Sequence, residues 1–225
     1  MCGRFGLTTE GDQLQFRFGF GWSQTGMTWR PRYNIAPTQD VLAVVQRGDD
    51  RHGGLLRWGL IPSWARDPSV GSRNINARAE TAGEKPSFRE ALERRRCLVL
   101  ADGFFEWRKE ADGRKTPMWI HLASGMPFAF AGLYDAWRAP SGERVGSCTI
   151  LTTTPNELIE SIHDRMPVIL PREAEAPWMD PNTRDVGALR ELLAPYPAQV
   201  MAAYPVSGLV NSVKNDEPAC IERVA

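Results

Sequence analysis

Cysteine is scarce in this sequence: four residues in 225, namely Cys2, Cys97, Cys148 and Cys220. No two of them form a CxxC pair, and the three histidines, His52, His121 and His163, do not group with them at zinc-like spacing. The pattern therefore carries no metal site. Cys97 and Cys148 stand in apolar runs, where a free thiol behaves as a small hydrophobe, so a reducing compartment is expected. An excess of one charge is also missing, with 27 Lys and Arg against 27 Asp and Glu. A chain that grips a long polyanion non-specifically carries a basic surplus. Any nucleic-acid contact here must be local, made by a few arginines in a cleft. No apolar run approaches the length of a membrane span, and the N-terminus shows no basic-then-apolar signal pattern. The expectation is a soluble, cytoplasmic protein with no membrane partner, associated with the nucleoid if the source is bacterial.

Glycine-rich phosphate loops, internal repeats and low-complexity tracts are absent, as is any linker long enough to separate two domains. A length of 225 is ordinary for one β-rich unit. We expect a single domain over residues 1–225, with the tail from about 207 the least patterned part. Aromatic residues, by contrast, are plentiful. Eight tryptophans can serve a core or stack on bases.

The local patterns predict many short strands. Residues 9–18 form a short helix with Thr8 or Thr9 as cap, and 18–29 form a loop. Residues 32–37 run extended into a proline. Strands at 41–46 and through Leu55 to Trp58 form a hairpin about the turn Gly48-Asp49-Asp50. The segment 58–64 is irregular, and 72–78 is a polar stretch. A helix over 87–96 precedes a strand at 97–101, the turn Asp102-Gly103 and a strand from Phe104. Further strands follow at 117–121, 128–133, 147–153, 166–170 and 200–205. Short helices fall at 155–162, 172–179 and 186–193. Regular βαβ alternation is absent. The fold class is α+β, a mainly antiparallel, barrel-like sheet with peripheral helices.

Three places carry chemistry. Removal of Met1, favoured by the small residue that follows, would leave Cys2 with an α-amine of pKa about 7.7–8 and a thiol of about 8.5 on adjacent carbons. An amine forms a Schiff base with an aldehyde, and the thiol can close on the same carbon as a five-membered thiazolidine. A cysteine at position 2 is unremarkable by itself. Glu106 lies between Phe105 and Trp107, so it either faces water by strand alternation or is desolvated and suited to proton transfer. His163 stands in a dense polar run and titrates near neutrality, though a lone histidine is more often a surface residue. Asn76 and Arg78 occupy alternate positions, one able to direct an amide and the other to pair with a phosphate; a loop bonding its own backbone is the plain alternative.

Together these residues sit inside longer motifs, in this order: MCGRF, RYNIAP, RWGLIPSW, NARAET, RRRCLVLADGFFEW, AGLYDAW, LTTTPN and IHDRMPVIL. The sequence strongly resembles the SOS response-associated peptidase family, proteins that shield abasic sites in single-stranded DNA. The resemblance runs from Cys2 to about Leu170 and resumes in VSGLVNSVKND. Leu100 stands where proline is expected and Phe105 where tyrosine is, which removes a hydroxyl but no reactive group.

The resemblance implies that an exposed Cys2 is the nucleophile that cross-links the abasic deoxyribose as a thiazolidine. Glu106 would move protons, His163 would bond the sugar oxygen, and Asn76 would orient the reacting end. It further implies that Arg4, Arg78 and Arg165 grip phosphates, that Thr152 adds a phosphate bond, and that Pro37, Trp64 and Trp107 pack on bases or sugars. The partner would be single-stranded DNA bearing an abasic site, met by a monomer with no cofactor and with Schiff-base lyase activity in reserve. Two other readings stay open. One is a thiol peptidase with Cys2 acylated, His163 as base and Glu106 orienting it; the other is a non-covalent single-strand-binding module. A sulfur far from Glu106 and His163, or sealed in apolar packing, would overturn the cross-linking chemistry.

Overall fold

Gly48 takes φ +59°, a left-handed conformation that costs glycine nothing for want of a Cβ. There the chain reverses, and the β-branched run Asp40–Arg47 pairs antiparallel with Asp50–Trp58 in the expected hairpin. The computed structural model describes residues 2–24 and 27–224. In chain order the first elements are β1 (Phe5–Leu7), α1 (Gly11–Phe18), β2 (Gly21–Trp22), β3 (Arg32–Ile35), β4 (Asp40–Arg47), β5 (Asp50–Trp58) and β6 (Asn76–Arg78). Next come α2 (Arg89–Arg94), β7 (Arg96–Ala101), β8 (Gly103–Lys109), β9 (Lys115–Leu122), β10 (Phe128–Arg138) and β11 (Arg144–Thr153). The chain ends through α3 (Glu157–Glu160), β12 (Met166–Pro167), β13 (Ile169–Leu170), α4 (Arg172–Met179), α5 (Val186–Glu191) and β14 (Met201–Pro205).

Two sheets result. The larger runs β12-β11-β10-β7-β4-β5-β2, and β11 also pairs in parallel with β5 through Ser147–Arg57 and Cys148–Trp58. That pairing closes β11-β10-β7-β4-β5 into a ring, which removes the open edges those strands would otherwise present. The smaller sheet runs β14-β9-β8-β1-β3. Phe5 lies between Trp58 and Phe130, with ring centroids 5.1 and 5.7 Å away, so β1 packs its aromatic face into the main core. Fully burying such a ring contributes about 1.5–3 kcal/mol. A second, smaller core lies on the other side of β8, where Phe105 and Trp119 meet Val206, Val210 and Cys220 of the C-terminal segment.

The α+β, barrel-like, mainly antiparallel expectation holds, and several local expectations need correction. Thr8 and Thr9 do not cap α1; their hydroxyls and backbone N–H groups all donate to Asp102, which ties the start of the helix to the turn before β8. The stretch 18–29 contains the short strand β2, paired in parallel with β5, and its residues 25 and 26 lie outside the described residues. Of the polar stretch 72–78, residues 72 and 73 end a 3-10 helix and only Asn76–Arg78 enter the larger sheet as β6, held by β11. Arg96 does not end a helix at the surface. It opens β7 buried, donating to the carbonyls of Leu92, Glu93, Trp178, Asp180 and Thr183. Residues 166–170 split into β12 on β11 and β13 on β10. The tail from 207 carries two turns of 3-10 helix and buries Val210 and Cys220.

Candidate active site

Register brings the chain's start to an acid. Phe5 of β1 pairs with Phe104 of β8, Gly6 pairs with Gly103, and the Phe105 N–H donates to the Arg4 carbonyl at 2.9 Å. Continuing that antiparallel register carries residues 2–4 along β8 toward Glu106. The pairing needs small residues: a Cβ on Gly103 would lie 2.4 Å from the Trp119 ring. Glu106 is on the same face of β8 as Phe104, because side chains alternate along a strand, and that face is the main core. Both faces of β8 are covered, so the water-facing alternative does not hold. Glu106 is 3% exposed. Burial, with Asp164 adding to it, pushes its carboxyl from an ordinary 4.5 up to about 7, which leaves it able to give or take a proton at neutral pH.

His163 arrives from a different part of the chain. Asn156 caps α3 by accepting the Ile159 N–H at 3.0 Å, and the helix delivers His163 with its Nε2 3.8 Å from Glu106 Oε2. Its Nδ1 lies 3.0 Å from the Arg165 N–H and 2.8 Å from Asp164 Oδ1. One ring nitrogen cannot accept from the first and donate to the second at once. A backbone N–H is a fixed donor, the Asp164 side chain is 86% exposed to water, and burial lowers the imidazole pKa. We therefore assign a neutral ring whose proton is on Nε2, on the Glu106 side.

Asn76 completes the group. It lies in β6 opposite Ile150, and its Nδ2 donates to the Cys2 carbonyl at 2.7 Å. Four residues spread over more than 160 positions thus converge from the lead into β1, from β6, from β8 and from the α3–β12 loop. Cys2 differs from expectation in one respect. Its thiol is fully buried rather than exposed, within the apolar main core. Burial raises its pKa far above the usual range, and the nearby Glu106 carboxylate raises it further. In the chain with Met1 still attached the sulfur is thus sealed in apolar packing, which meets one of the two conditions set against the cross-linking chemistry. The other is not met on the Glu106 side, since the sulfur is close enough to that carboxylate to feel its charge.

The remaining residues divide between two flanks. On one, Arg4 donates through Nη1 to Asn34 Oδ1 and the Val210 carbonyl at 2.8 and 2.6 Å, and its guanidinium lies over the Trp107 ring. On the other, Arg78 is exposed and pairs in register with Thr152. Arg165 is engaged by Glu80 in a two-bond ion pair of 2.7 and 2.8 Å and by the Thr152 carbonyl. Thr152 itself is fully buried; its hydroxyl does not face solvent, against the expectation of a phosphate bond. Trp64 is 59% exposed and belongs to a segment tethered by Ser63 to Asp135 and by Ala65 to Trp137. Pro37 is half-buried just beyond β3. Among the described residues, no hydrogen bond or ring contact links Trp64 or Pro37 to Cys2 or Asn76. Sequence reasoning missed Glu80, Asn34 and Asp216, although each lies in a quoted motif, because a motif does not say which of its polar residues meets which partner.

Among the described residues, no group of three or more His, Cys, Asp or Glu is placed to hold a metal, and no helix is long and apolar enough to cross a membrane. The family model for SOS response associated peptidase (SRAP) matches residues 1–213. The abasic site processing protein YoqW of Bacillus subtilis is 50% identical over 222 residues, covering 99% of each chain. The abasic site processing protein HMCES of Xenopus tropicalis is 30% identical over 266 residues, covering 100% of this chain and 78% of that one. A crystal structure of a protein from Bacteroides thetaiotaomicron superposes with a TM-score of 0.89 at 28% identity, covering 100% of both chains.

Proposed function

Because the chain belongs to the SOS response associated peptidase family, we propose that it processes abasic sites in single-stranded DNA by becoming covalently joined to them through Cys2. Removal of Met1 frees the Cys2 amine. The amine nitrogen adds to C1′ of the ring-opened deoxyribose, water leaves, and an imine results. Sγ then adds to the same carbon while its proton passes to the imine nitrogen, closing a thiazolidine ring. Glu106, half-protonated near neutrality, supplies the proton for ring opening and for water loss and takes the proton the amine gives up. The neutral His163 Nε2–H bonds the sugar oxygen. Closing the ring removes the imine, and with it the route to β-elimination of the 3′ phosphate; a chain that stops at the imine acts as a lyase.

The observation that carries this reading is the Asn76–Cys2 hydrogen bond, which holds the start of the chain beside a buried acid whose pKa lies near 7. The buried thiol sets the order of events. A thiol held protonated by its surroundings is a poor first nucleophile, but after imine formation its target carbon is bonded to the same residue. The same burial disfavours a thiol peptidase, which needs its thiolate first. All four central residues come from one chain, so a monomer suffices, and such a substrate fits a location in the cytoplasm, at the nucleoid if the source is bacterial.

Purified protein incubated with an abasic oligonucleotide should gain its mass and survive denaturing electrophoresis as one species. Cys2→Ser should retain an imine trappable by borohydride yet form no durable adduct. A glycine left ahead of Cys2 should abolish both; stable cross-linking by that extended chain would sink the proposal.

A further inference from the structure

Behind Arg4 and Trp107 lies a polar strap that the reaction scheme does not use. Asp216 Oδ1 accepts the backbone N–H groups of Tyr33 and Asn34 at 2.6 and 2.9 Å, and its Oδ2 accepts from Arg32 Nε. Asn34, fully buried in β3, answers with its own side chain. Nδ2 donates to the carbonyls of Val210, Ser212 and Asn215 at 3.3, 3.0 and 2.6 Å, and Oδ1 accepts from Arg4 Nη1. Arg4 also donates to the Val210 carbonyl, and Trp107 Nε1 donates to Asn211 Oδ1 at 2.8 Å. Residues 210–216 are thus bonded to β3 at one end and to two side chains of the candidate site at the other. Arg4 stands two residues after Cys2, and Trp107 one residue after Glu106.

We infer that this C-terminal strap is a wall of the active site, with Asp216, Asn34 and Asn211 as positioning residues that hold Arg4 and Trp107, and through them the start of the chain, against β8. The inference rests on the cross-linking reading. Its geometry is specific: Asp216 engages two consecutive backbone donors of β3, and Asn34, which has no exposed surface, relays that anchoring to Arg4 through its side chain. Asp216 closes the motif VSGLVNSVKND in which the resemblance resumes, three residues beyond the stretch 1–213 that the family model matches.

The test uses the full chain and two single-stranded oligonucleotides. One bears a natural abasic site; the other bears its tetrahydrofuran analogue, which binds but has no aldehyde to react. Asp216→Ala should lower the cross-linking rate at saturating DNA roughly ten- to a hundredfold, the scale of a misplaced reacting group, after correction for the folded fraction. Asn211→Ala, at an exposed position, should fold normally and weaken analogue binding about two- to tenfold, the worth of one hydrogen bond. A strap that served stability alone would move neither quantity in folded protein. Wild-type rate and affinity in the folded variants would overturn the inference, and Asn211→Ala decides alone if Asp216→Ala does not fold. Failure of the wild-type chain to form any adduct would overturn the cross-linking reading instead, while the analogue affinities would still test the strap.

Discussion

Glu106 concentrates the residue-scale physics. Its carboxyl is ordinary at 4.5 and held at about 7 in the fold by burial. The folded state therefore prefers the protonated acid. That preference adds stability which is complete below about pH 4.5 and is lost as pH rises through 7. Glu106→Gln keeps the shape and removes the titration. The variant should melt higher than wild type at pH 8, with the difference vanishing by about pH 4.5. Its cross-linking rate should fall by about 10²–10⁴, the usual worth of a general acid–base, and should lose the wild-type inflection near pH 7. Thermal scans and single-turnover rates across pH 4–9 read both. A variant less stable than wild type at pH 8 would mean that partners hold the carboxylate ionised, against the shift argued here. Cys2, Asn76 and His163 could be named from the sequence together with Glu106. The burial of the Cys2 thiol could not, because it depends on what the two sheets place around it.

At the scale of elements, β8 matters most, since it carries Glu106 on one face and the second core on the other. Gly103 makes that double role feasible: an added Cβ would meet Trp119 at 2.4 Å and the Ile120 carbonyl at 2.7 Å. Gly103→Ala forces the ring or the strand to move. Overpacking of this kind costs about 1–3 kcal/mol, so the melting temperature should drop by several degrees. Gly21→Ala, where nothing lies within 4 Å of the new carbon, is the matched control and should change little. Equal melting temperatures for the two variants would show that β8 has slack. Local pattern was enough for the β4–β5 hairpin, whose turn and partners are adjacent in the chain. It was not enough for β6, two polar residues flanking Ala77 that β11, some 70 positions away, makes into a strand. Nor could it show the split between β12 and β13, where the Val168 N–H bonds Leu151 while the Val168 carbonyl accepts from Ala131.

Across the whole molecule, Arg17 of α1 and Glu175 of α4 meet at 3.1 and 2.7 Å over a separation of 158 residues. Their side chains are 15% and 3% exposed, so water screens the pair weakly. Glu175→Ala leaves the guanidinium without its carboxylate and should cost about 3–5 kcal/mol, while replacing both residues by apolar ones of similar size should be neutral or better. Urea midpoints would read both. A cost under about 1 kcal/mol for the single change would mean that the pair is solvated like a surface bridge. The balance of 27 basic and 27 acidic residues acts at this scale as well. With no global field to draw DNA in, the proposed binding would rest on the few arginines at the site, and Arg165 already shares its charge with Glu80.

The order of residues alone determined the α+β class and most strand and helix positions, because periodicity and turn chemistry are local properties, while the candidate set Cys2, Asn76, Glu106 and His163 was named through the family resemblance that their motifs carry. Only the tertiary structure decided that Glu106 faces the core, that the Cys2 sulfur is enclosed beside it, that Thr152 is turned away from solvent and that the tail straps the site. Those outcomes depend on which strands lie side by side and what covers each face, and desolvation and long-range hydrogen bonds exist only once the chain has closed.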